Sequence, residues 1–277
     1  MPELPEVETV RKGLAPVLEG STIKLAKARR KNLRYDIPQD FSDRLEGNKV
    51  RALKRRSKYI LMECEDGLVS ILHLGMSGRF NIHAAGTAPE LEKHDHIYIE
   101  TMTGDRVVYN DPRRFGFWLF SDVNSIDEHD HIKNIGPEPL GNSFSEDTLL
   151  NAFHNKKTNI KAALLDQRIV AGLGNIYVCE VLWRTGVHPE TAAKDISKKQ
   201  IETIVPTIRT VLSEAIEAGG STLKDYAQVD GELGYFQHSF KAYGREGEAC
   251  LKEGCGGTVE RIVQSNRSTF FCPKCQR

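Results

Sequence analysis

Four cysteines close to the C-terminal end constrain the fold of this chain more than any other feature of its sequence. Cys250 and Cys255 are separated by four residues, Cys272 and Cys275 by two, and sixteen residues lie between the pairs. This spacing is typical of a zinc ribbon, in which four thiolates bind one structural zinc ion. Disulfides are the alternative, but the sequence carries no secretion signal, which argues against them. We therefore predict one structural zinc with all four cysteines as its ligands.

Composition bounds the class of protein. The chain has 277 residues, enough for more than one domain, and 39% hydrophobic with 27% charged residues is typical of a soluble globular protein. No apolar run approaches the length of a membrane span. We expect a cytoplasmic protein without membrane contact.

Short segments rich in β-branched and aromatic residues follow one another through the first part of the chain. Turn signals such as Glu65-Asp66-Gly67 separate them. Apolar residues spaced by three and four precede them and predict an N-terminal helix. We therefore predict an antiparallel β-sandwich with an N-terminal helix over residues 1–121, as part of an α+β multidomain protein. The predicted strands are residues 23–30, 50–53, 59–63, 68–72, 97–101, 106–109 and 117–120.

The rest of the chain reads as a linker, a helical domain and the ribbon. Residues 122–143 are acidic, contain a Gly-Pro-Glu-Pro stretch and lack periodicity, which indicates a linker. The apolar spacing in residues 144–237 predicts helices. Two of these helices are short and are joined by a glycine turn that ends at Asn175. The free amides of such a helix start can hold a DNA phosphate, although a plain helical hairpin is a common alternative. Residues 238–277 form the predicted zinc ribbon.

Charge is distributed unevenly along the chain. The formal net charge is zero, and by itself this argues against nucleic-acid binding, because such domains are usually basic. Residues 21–58, however, contain thirteen Lys or Arg against four Asp or Glu, a local excess of nine positive charges. One face of a neutral protein could therefore attract a phosphate backbone. A solvated charged surface is the alternative.

Two loops of the predicted sandwich combine glycines with side chains suited to intercalation. His73-Leu74-Gly75-Met76-Ser77-Gly78 places a flexible methionine between glycines, and Asp111-Pro112-Arg113-Arg114-Phe115-Gly116 places guanidiniums beside an aromatic ring. Such side chains can fill the gap that an extruded base leaves in a duplex. As an alternative, they are core residues that close a strand end.

The N-terminal segment offers a nucleophile. If Met1 is removed, the secondary amine of Pro2 becomes the N-terminus, and an unprotonated α-amine can attack an aldehyde-level carbon to give an iminium. Glu3 supplies a neighbouring carboxylate for proton transfer, and Glu6 follows one helical turn later. Proline and acids at a helix start are also ordinary capping chemistry, so this segment alone leaves both interpretations open.

Taken together, these segments resemble the bacterial formamidopyrimidine-DNA glycosylases. The resemblance extends over the whole chain and is carried by PELPEVETV, RRSKYI, HLGMSGRF, EKHDH, NDPRRFG, KKTNIKAALLDQ, GLGNIY, DGELGYFQ and CPKCQR. One departure is the first cysteine pair, in which four residues intervene where the family usually has two. This difference affects the local shape of the turn between Cys250 and Cys255 and not the number of zinc ligands.

The resemblance implies roles for individual residues. Pro2 matches the Schiff-base nucleophile on the sugar C1′ carbon, and Glu3 the general acid that helps open the sugar. Lys58 matches the proton donor of β-elimination, which also contacts a phosphate. Arg267 matches the corresponding residue for δ-elimination.

Further matches concern DNA contacts. Met76, Arg113 and Phe115 match the wedge that fills the vacated stack. The residues that match contacts to DNA are His94, Arg113, Lys156 and Asn175. Residues 219–237, rich in glycine and polar side chains, match a loop that closes over an everted purine; a disordered connector to the ribbon is the alternative for that stretch.

The function implied is base-excision repair. We expect a bifunctional glycosylase and abasic-site lyase that removes oxidised purines such as 8-oxoguanine and formamidopyrimidines from damaged double-stranded DNA, acting as a monomer. Two alternatives remain open. One is an endonuclease VIII-type enzyme that prefers oxidised pyrimidines, and the other is a non-catalytic DNA-binding protein that uses the same helical hairpin and zinc ribbon.

Overall fold

The computed structural model describes residues 2–221, 229 and 234–277. Its contacts divide the chain into two compact units. The N-terminal unit contains Met1–Lys133 and Ala218–Tyr235, and the C-terminal unit contains Asn134–Glu217 and Phe236–Arg277. No helix of the described part of the chain is long and apolar enough to span a membrane.

The N-terminal unit is built on two four-stranded antiparallel sheets. One has the order β1-β6-β7-β5 and the other β2-β3-β4-β8. Its helices are α1 (Leu4–Leu18) and α2 (Phe41–Leu45). Its strands are β1 (Ile23–Ala28), β2 (Val50–Arg56), β3 (Tyr59–Cys64), β4 (Leu68–His73), β5 (Arg79–His83), β6 (Asp95–Thr101), β7 (Arg106–Asn110) and β8 (Phe117–Asp122).

The apolar pattern of the sequence explains this arrangement. Strands β3 and β4 lie in the interior of their sheet, and five of the six residues in each are buried. Helix α1 packs on β2 and β3 through a stripe at helical spacing, formed by Val7, Val10, Leu14 and Leu18. The predicted α+β fold with an N-terminal helix and an antiparallel sandwich is confirmed.

Two short elements were not predicted from the sequence. Among the described strands, β5 pairs with β7 at the edge of its sheet, and four of its five residues are half-buried, so its sequence lacks a strong apolar alternation. Helix α2 has five residues and buries only Phe41 and Leu45, which is too few to give a helical period. Both elements depend on their neighbours more than on their own sequence.

The C-terminal unit combines four α-helices with a β-hairpin among its described residues. Helix α6 buries a continuous apolar stripe, and α5 packs against the second strand of the hairpin. The helices are α3 (Glu146–Phe153), α4 (Ile160–Leu165), α5 (Asn175–Thr185) and α6 (Lys198–Glu217), and the hairpin is β9 (Glu260–Gln264) with β10 (Arg267–Phe271).

The observed units and the predicted domains divide the chain differently. The sequence predicts a boundary within the acidic linker of residues 122–143, and the change of unit falls after Lys133. It also assigns residues 218–235 to the helical domain, whereas they group with the N-terminal unit. The division into domains at residues 1–121, 122–143, 144–237 and 238–277 stays a prediction, because compactness alone does not define domain boundaries.

Candidate active site

The first residues of the chain form a buried, hydrogen-bonded start to α1. Pro2, Glu3 and Glu6 are all buried. Glu3 is the N-cap in an extended conformation, and its backbone N–H donates to Glu6 Oε2 at 2.8 Å, as in a capping box. Glu3, which is 3% exposed, therefore lies inside the protein next to the buried Pro2.

Glu6 does more than cap a helix. Its second oxygen, Oε1, accepts the backbone N–H of Ser221 at 2.8 Å, so one buried carboxylate joins the start of α1 to the first residues after α6. Gly220 makes this approach possible: it has φ +81°, and an added Cβ would lie 3.1 Å from Glu6 Cγ. The spacing of Glu3 and Glu6 is visible in the sequence, but no sequence pattern indicates the contact with Ser221.

Lys58 lies in the tight turn between β2 and β3. Arg56 pairs with Tyr59 across the hairpin, so Ser57 and Lys58 are the two turn residues, and Ser57 has the positive φ, 56°, that such a turn requires. Lys58 is only 7% exposed. A lysine in this position is held by the hairpin and not by a flexible loop.

An ion pair with α1 supports this turn. Arg55 donates through Nη1 to the carbonyl of Ser57 at 3.0 Å and through Nε to Glu8 Oε2 at 3.1 Å. Burial opposes ionisation of Glu8, but hydrogen bonds and positive charge from Arg11 and Arg55 keep its pKa below the usual value. The Lys58 turn is thereby tied to the helix that begins beside Pro2.

A cluster of aromatic and imidazole rings lies next to this turn. His73 stacks on Phe117 with ring centroids 5.1 Å apart, and Tyr59 and His131 pack around the same pair. Burial, followed by the positive charges of Lys58 and Arg34, lowers the pKa of His73 to about 4. His73 is thus a neutral imidazole at physiological pH, and its Nδ1 accepts the backbone N–H of Gly75 at 3.1 Å.

The two glycine-bounded loops meet around one buried carboxylate. Asp111 accepts the hydroxyl of Ser77 at 2.6 Å and the backbone N–H of Gly116 at 2.9 Å, and Ser77 Oγ in turn accepts the N–H of Arg113 at 3.2 Å. Tyr109 also donates to Asp111, and burial together with this carboxylate raises the pKa of Tyr109 well above its usual value.

Close backbone contact brings the predicted wedge residues to the same place. An added Cβ on Gly75 would lie 2.3 Å from backbone atoms of Phe115 and Gly116, so only glycine permits this approach. Phe115 is 45% exposed, and the Arg113 guanidinium lies 5.1 Å from its ring centroid. Met76, half-buried, lies on the facing loop. The three residues predicted to act together are neighbours.

Two cavities beside these loops are lined by cations. One, of about 650 Å³, is bounded by Arg34, Arg113, Arg114, Phe115 and their neighbours Asn32 and Leu33. The other, of about 320 Å³, is lined by Arg30, Lys93, His94, His96, Pro112 and Arg114. Guanidinium, ammonium and imidazole groups around open cavities are the chemistry that binds phosphate.

The basic segment of residues 21–58 is partly neutralised in the fold. Glu63 pairs with Arg51 at 2.6 Å and with Lys54 at 2.8 Å, and Lys49 pairs with Glu65 at 2.9 Å. These acids come from β3 and the turn after it, outside the segment. The excess of nine positive charges in the sequence of this segment therefore overstates the positive potential that the folded segment would present to DNA.

In the C-terminal unit, Asn175 and Arg267 lie on adjacent elements. Asn175 begins α5 after Gly174, and its Nδ2 donates to the carbonyl of Ser268 at 2.9 Å. Arg267 begins β10 immediately before Ser268 and is exposed. Lys156 lies apart from them, half-buried in the connection between α3 and α4.

The four cysteines form a compact thiolate site. Their Sγ atoms lie within 4.8 Å of one another, with Cys250 3.7 Å from Cys275 and Cys255 3.6 Å from Cys272. Bonds of about 2.3 Å from a tetrahedral zinc give sulfur separations of about 3.8 Å. An added Cβ on Gly257 would lie 2.8 Å from Cys272 Sγ, so glycine leaves room for the cluster. The geometry fits one zinc ion.

Residues around the cluster complete its surroundings. The longer first knuckle turns at Gly254, which has φ +69°, and the indole N–H of Trp183 donates to Cys250 Sγ at 3.3 Å. The other two cysteines, Cys64 and Cys179, are buried thiols elsewhere in the chain. Burial raises the pKa of Cys64 to about 12.

Residues 222–228 and 230–233 lie outside the described residues, and with them most of the predicted base-recognition loop. Of that stretch the structure describes Val229, which is buried, packs against Gly13 and accepts the N–H of Ile82 at 3.2 Å.

Comparison with known proteins gives consistent matches along the chain. Residues 1–118 match the formamidopyrimidine-DNA glycosylase N-terminal domain, residues 135–227 match the H2TH domain of the same glycosylase, and residues 247–277 match a zinc finger found in FPG and IleRS.

Individual proteins match over the full length. The chain is 53% identical to a formamidopyrimidine-DNA glycosylase of Ruegeria pomeroyi, with 100% of each chain covered. A complex of Lactococcus lactis Fpg with abasic-site DNA superposes with a TM-score of 0.90 at 34% identity over 99% of both chains. A complex of the wild-type Lactococcus lactis protein with N7-benzyl-Fapy-dG DNA gives a TM-score of 0.90 at 34% identity over 100% of both.

Proposed function

Since this chain belongs to the formamidopyrimidine-DNA glycosylase family and is a DNA repair glycosylase, we propose that it excises oxidised purines, 8-oxoguanine and formamidopyrimidines among them, and then cleaves the abasic strand. The proposed nucleophile is the secondary amine of Pro2 after removal of Met1. The observation that carries the proposal is the N-terminal arrangement, in which Pro2 and the carboxylates of Glu3 and Glu6 are buried together. An ordinary exposed helix start has no need to bury two acids.

The proposed reaction needs no redox partner. The Pro2 amine attacks the sugar C1′ carbon, the C1′–N bond to the base breaks, and the base leaves with a proton. Glu3 gives a proton to the ring oxygen O4′ as the sugar opens to an iminium.

The iminium then makes strand cleavage possible, because it acidifies the C2′ proton. Loss of that proton breaks the C3′–O bond and releases one phosphate, which is β-elimination. Loss of the C4′ proton from the conjugated product breaks the C5′–O bond and releases the second phosphate, which is δ-elimination. Water hydrolyses the remaining sugar from Pro2. We assign proton transfer in the first elimination to Lys58 and in the second to Arg267.

DNA contacts are proposed on the same basis. Met76, Arg113 and Phe115 lie on the two loops that the Ser77–Asp111 hydrogen bond joins, and they would fill the stack that the everted nucleotide leaves. His94 would bind phosphate at the smaller cationic cavity, and Lys156 and Asn175 would bind it in the C-terminal unit. The second Nδ2 hydrogen of Asn175 makes no hydrogen bond to described residues and is available for a phosphate oxygen.

One structural zinc ion is held by Cys250, Cys255, Cys272 and Cys275. All four ligands come from the protein and leave no open position, so the metal supports the ribbon and takes no part in the steps above. Damaged double-stranded DNA is the proposed partner. The monomeric state and the cytoplasmic, nucleoid-associated location stay predictions.

The decisive experiment is borohydride trapping on DNA that contains 8-oxoguanine. Enzyme with a free Pro2 should form a covalent adduct, because borohydride reduces the iminium. A peptide tag fused before Pro2 should abolish the adduct while zinc content and the circular dichroism spectrum stay unchanged. The matched control carries the same tag after Arg277. Trapping by the N-terminally tagged protein would contradict the assignment of Pro2.

The same assay separates the proposed purine specificity from the remaining alternative. An endonuclease VIII-type enzyme would be trapped far more efficiently on DNA containing an oxidised pyrimidine than on 8-oxoguanine DNA.

A further inference from the structure

Lys161 is a buried cation in the C-terminal unit that none of the steps above uses. It lies on α4 and is 1% exposed. Its ammonium donates to Thr269 Oγ1 at 2.6 Å and to the backbone carbonyl of Ser268 at 3.2 Å. Both acceptors lie on β10, more than one hundred residues further along the chain, and they are the two residues that follow Arg267.

Burying an ammonium group costs several kcal/mol that hydrogen bonds only partly offset. A methionine could fill much of the same volume without that cost. A lysine at this position is therefore poorly explained by packing alone. Its hydrogen bonds to Ser268 and Thr269 tie α4 to one short stretch of β10.

The stretch that Lys161 holds is fixed on its other sides as well. The carbonyl of Ser268 also accepts Asn175 Nδ2 at 2.9 Å, and Thr269 Oγ1 donates to Gln264 Oε1 at 2.8 Å across the hairpin. The turn residues Ser265 and Asn266 both have positive φ, 49° and 61°, as in a tight type I′ turn.

Arg267 lies between these two restraints. The turn precedes it, and the carbonyl of Ser268 and the hydroxyl of Thr269 follow it. Its own side chain is exposed. A long, flexible guanidinium side chain thus stands on a backbone whose position α4 and α5 determine. This is the arrangement expected where a side chain must reach a reacting group with little freedom.

We propose that Lys161 is a positioning residue for Arg267, holding the hairpin so that the guanidinium acts in δ-elimination. This inference rests on the proposed function, since it presumes that Arg267 takes part in the second elimination. At 1% exposure, Lys161 is too buried for a direct role at the sugar. Its effect passes through the Ser268 carbonyl and the Thr269 hydroxyl.

The product ratio on abasic-site DNA tests the inference. β-Elimination alone leaves an unsaturated aldehyde at the 3′ end, whereas β,δ-elimination leaves a 3′ phosphate, and a gel separates the two. Lys161→Met should lower the ratio of δ to β product by about tenfold, since a displacement near 1 Å can cost on the order of a hundredfold in rate. The yield of borohydride adduct should stay unchanged, because Pro2 chemistry does not depend on Arg267.

A second pair of variants guards against misfolding of Lys161→Met. Thr269→Val is nearly isosteric but removes the hydroxyl that accepts from Lys161, and it should shift the product ratio in the same direction. Thr269→Ser retains the hydroxyl and should restore the wild-type ratio. A purely structural role for the lysine would lower all activities together and leave the ratio constant, and that result would overturn the inference.

Arg267→Ala separates failure of the inference from failure of the proposed function. It should itself abolish δ-product, and adding Lys161→Met to it should change the ratio no further. If Arg267→Ala shifts the ratio and neither Lys161→Met nor Thr269→Val does, the positioning role is wrong while the role of Arg267 stands. If Arg267→Ala leaves the ratio unchanged, the positioning role falls with that of Arg267. Absence of any borohydride adduct in the wild type would instead reject the glycosylase mechanism.

Discussion

Buried polar side chains connect segments of this protein that are distant in sequence. Glu6 receives the N–H of Ser221, and Asp111 receives the hydroxyl of Ser77. Each such group costs about 1–3 kcal/mol if one partner is lost, because the other is left buried without a hydrogen bond. These residues therefore fix the relative placement of the loops and termini that carry the candidate chemistry.

His73 provides a pH-dependent test at the same scale. Its pKa falls from 6.5 in the unfolded chain to about 4 in the fold, so the unfolded state binds more protons between these values. The stability that the buried neutral imidazole of His73 contributes is fully present above its unfolded pKa of 6.5. This contribution is lost as the pH falls toward its folded pKa of about 4. We expect the free energy of unfolding to drop by about 2 kcal/mol more in the wild type than in His73→Phe between about pH 7 and pH 4.5.

Urea unfolding at several pH values measures this difference. The comparison of slopes is independent of any constant loss that the substitution causes, including the hydrogen bond from Gly75. His154→Gln, at an exposed position, is the control and should keep the wild-type slope. Equal slopes for the wild type and His73→Phe would show that another group governs acid unfolding.

At the scale of elements, both residues assigned to elimination stand at tight hairpin turns. Lys58 is a turn residue between β2 and β3, and Arg267 follows the turn between β9 and β10. Positive φ values at Ser57, Ser265 and Asn266 mark these turns. A two-residue turn leaves little conformational freedom, so each cation projects from a rigid strand end rather than from a loop.

Base recognition should be separable from strand cleavage at this scale. The sequence assigns purine recognition to residues 219–237, of which 222–228 and 230–233 lie outside the described residues. A deletion of residues 222–231 would also remove Val229, which is buried against Gly13. We therefore expect the shorter deletion of residues 223–227 to reduce 8-oxoguanine excision selectively and to leave abasic-site cleavage largely intact, since the latter needs no base contact.

Single-turnover rates on the two substrates measure the effect. Val229→Ala is the matched control for core damage. Any loss of activity in this variant should affect both rates equally. Equal loss of both activities in the deletion would mean that the segment supports the fold. Full excision of 8-oxoguanine would mean that it only connects α6 to the ribbon.

Charge distribution decides how the whole molecule meets DNA. The net charge of zero gives no overall attraction, and several cations of residues 21–58 are paired with acids such as Glu63. Cations that line the two cavities, among them Arg34, Arg114 and Lys93, remain as local binding groups. Phosphate contact by such groups releases counterions, so affinity depends on salt through the number of contacts and not through net charge.

We therefore expect the logarithm of DNA affinity to fall linearly with the logarithm of salt concentration, with a slope of about −0.9 for each phosphate contacted. Replacing Arg114 with Gln should make the slope shallower by about one contact. Arg168→Gln, at an exposed residue paired with Asp166, should leave it unchanged. Fluorescence anisotropy with an abasic-site duplex measures both, and a wild-type affinity independent of salt would refute phosphate contact by these cavities.

Local sequence determined several features of this protein on its own. Cysteine spacing predicted the ribbon, because four thiolates at short intervals can close around one metal wherever the chain lies. Apolar periodicity predicted α1 and most strands, because each strongly patterned segment carries its burial preference in its own residues. The separated motifs of the family resemblance identified Pro2, Glu3 and the loop residues as candidates for chemistry.

Tertiary structure decided what no local pattern contains. The bond from Ser221 to Glu6, the meeting of Ser77 with Asp111 and the clamp of Lys161 on β10 all join residues that the sequence separates widely. The pairing of basic residues with Glu8 and Glu63 likewise depends on which strands and helices become neighbours. Hydrogen bonds and ion pairs need atoms within about 3–4 Å, and only the folded chain brings these groups that close.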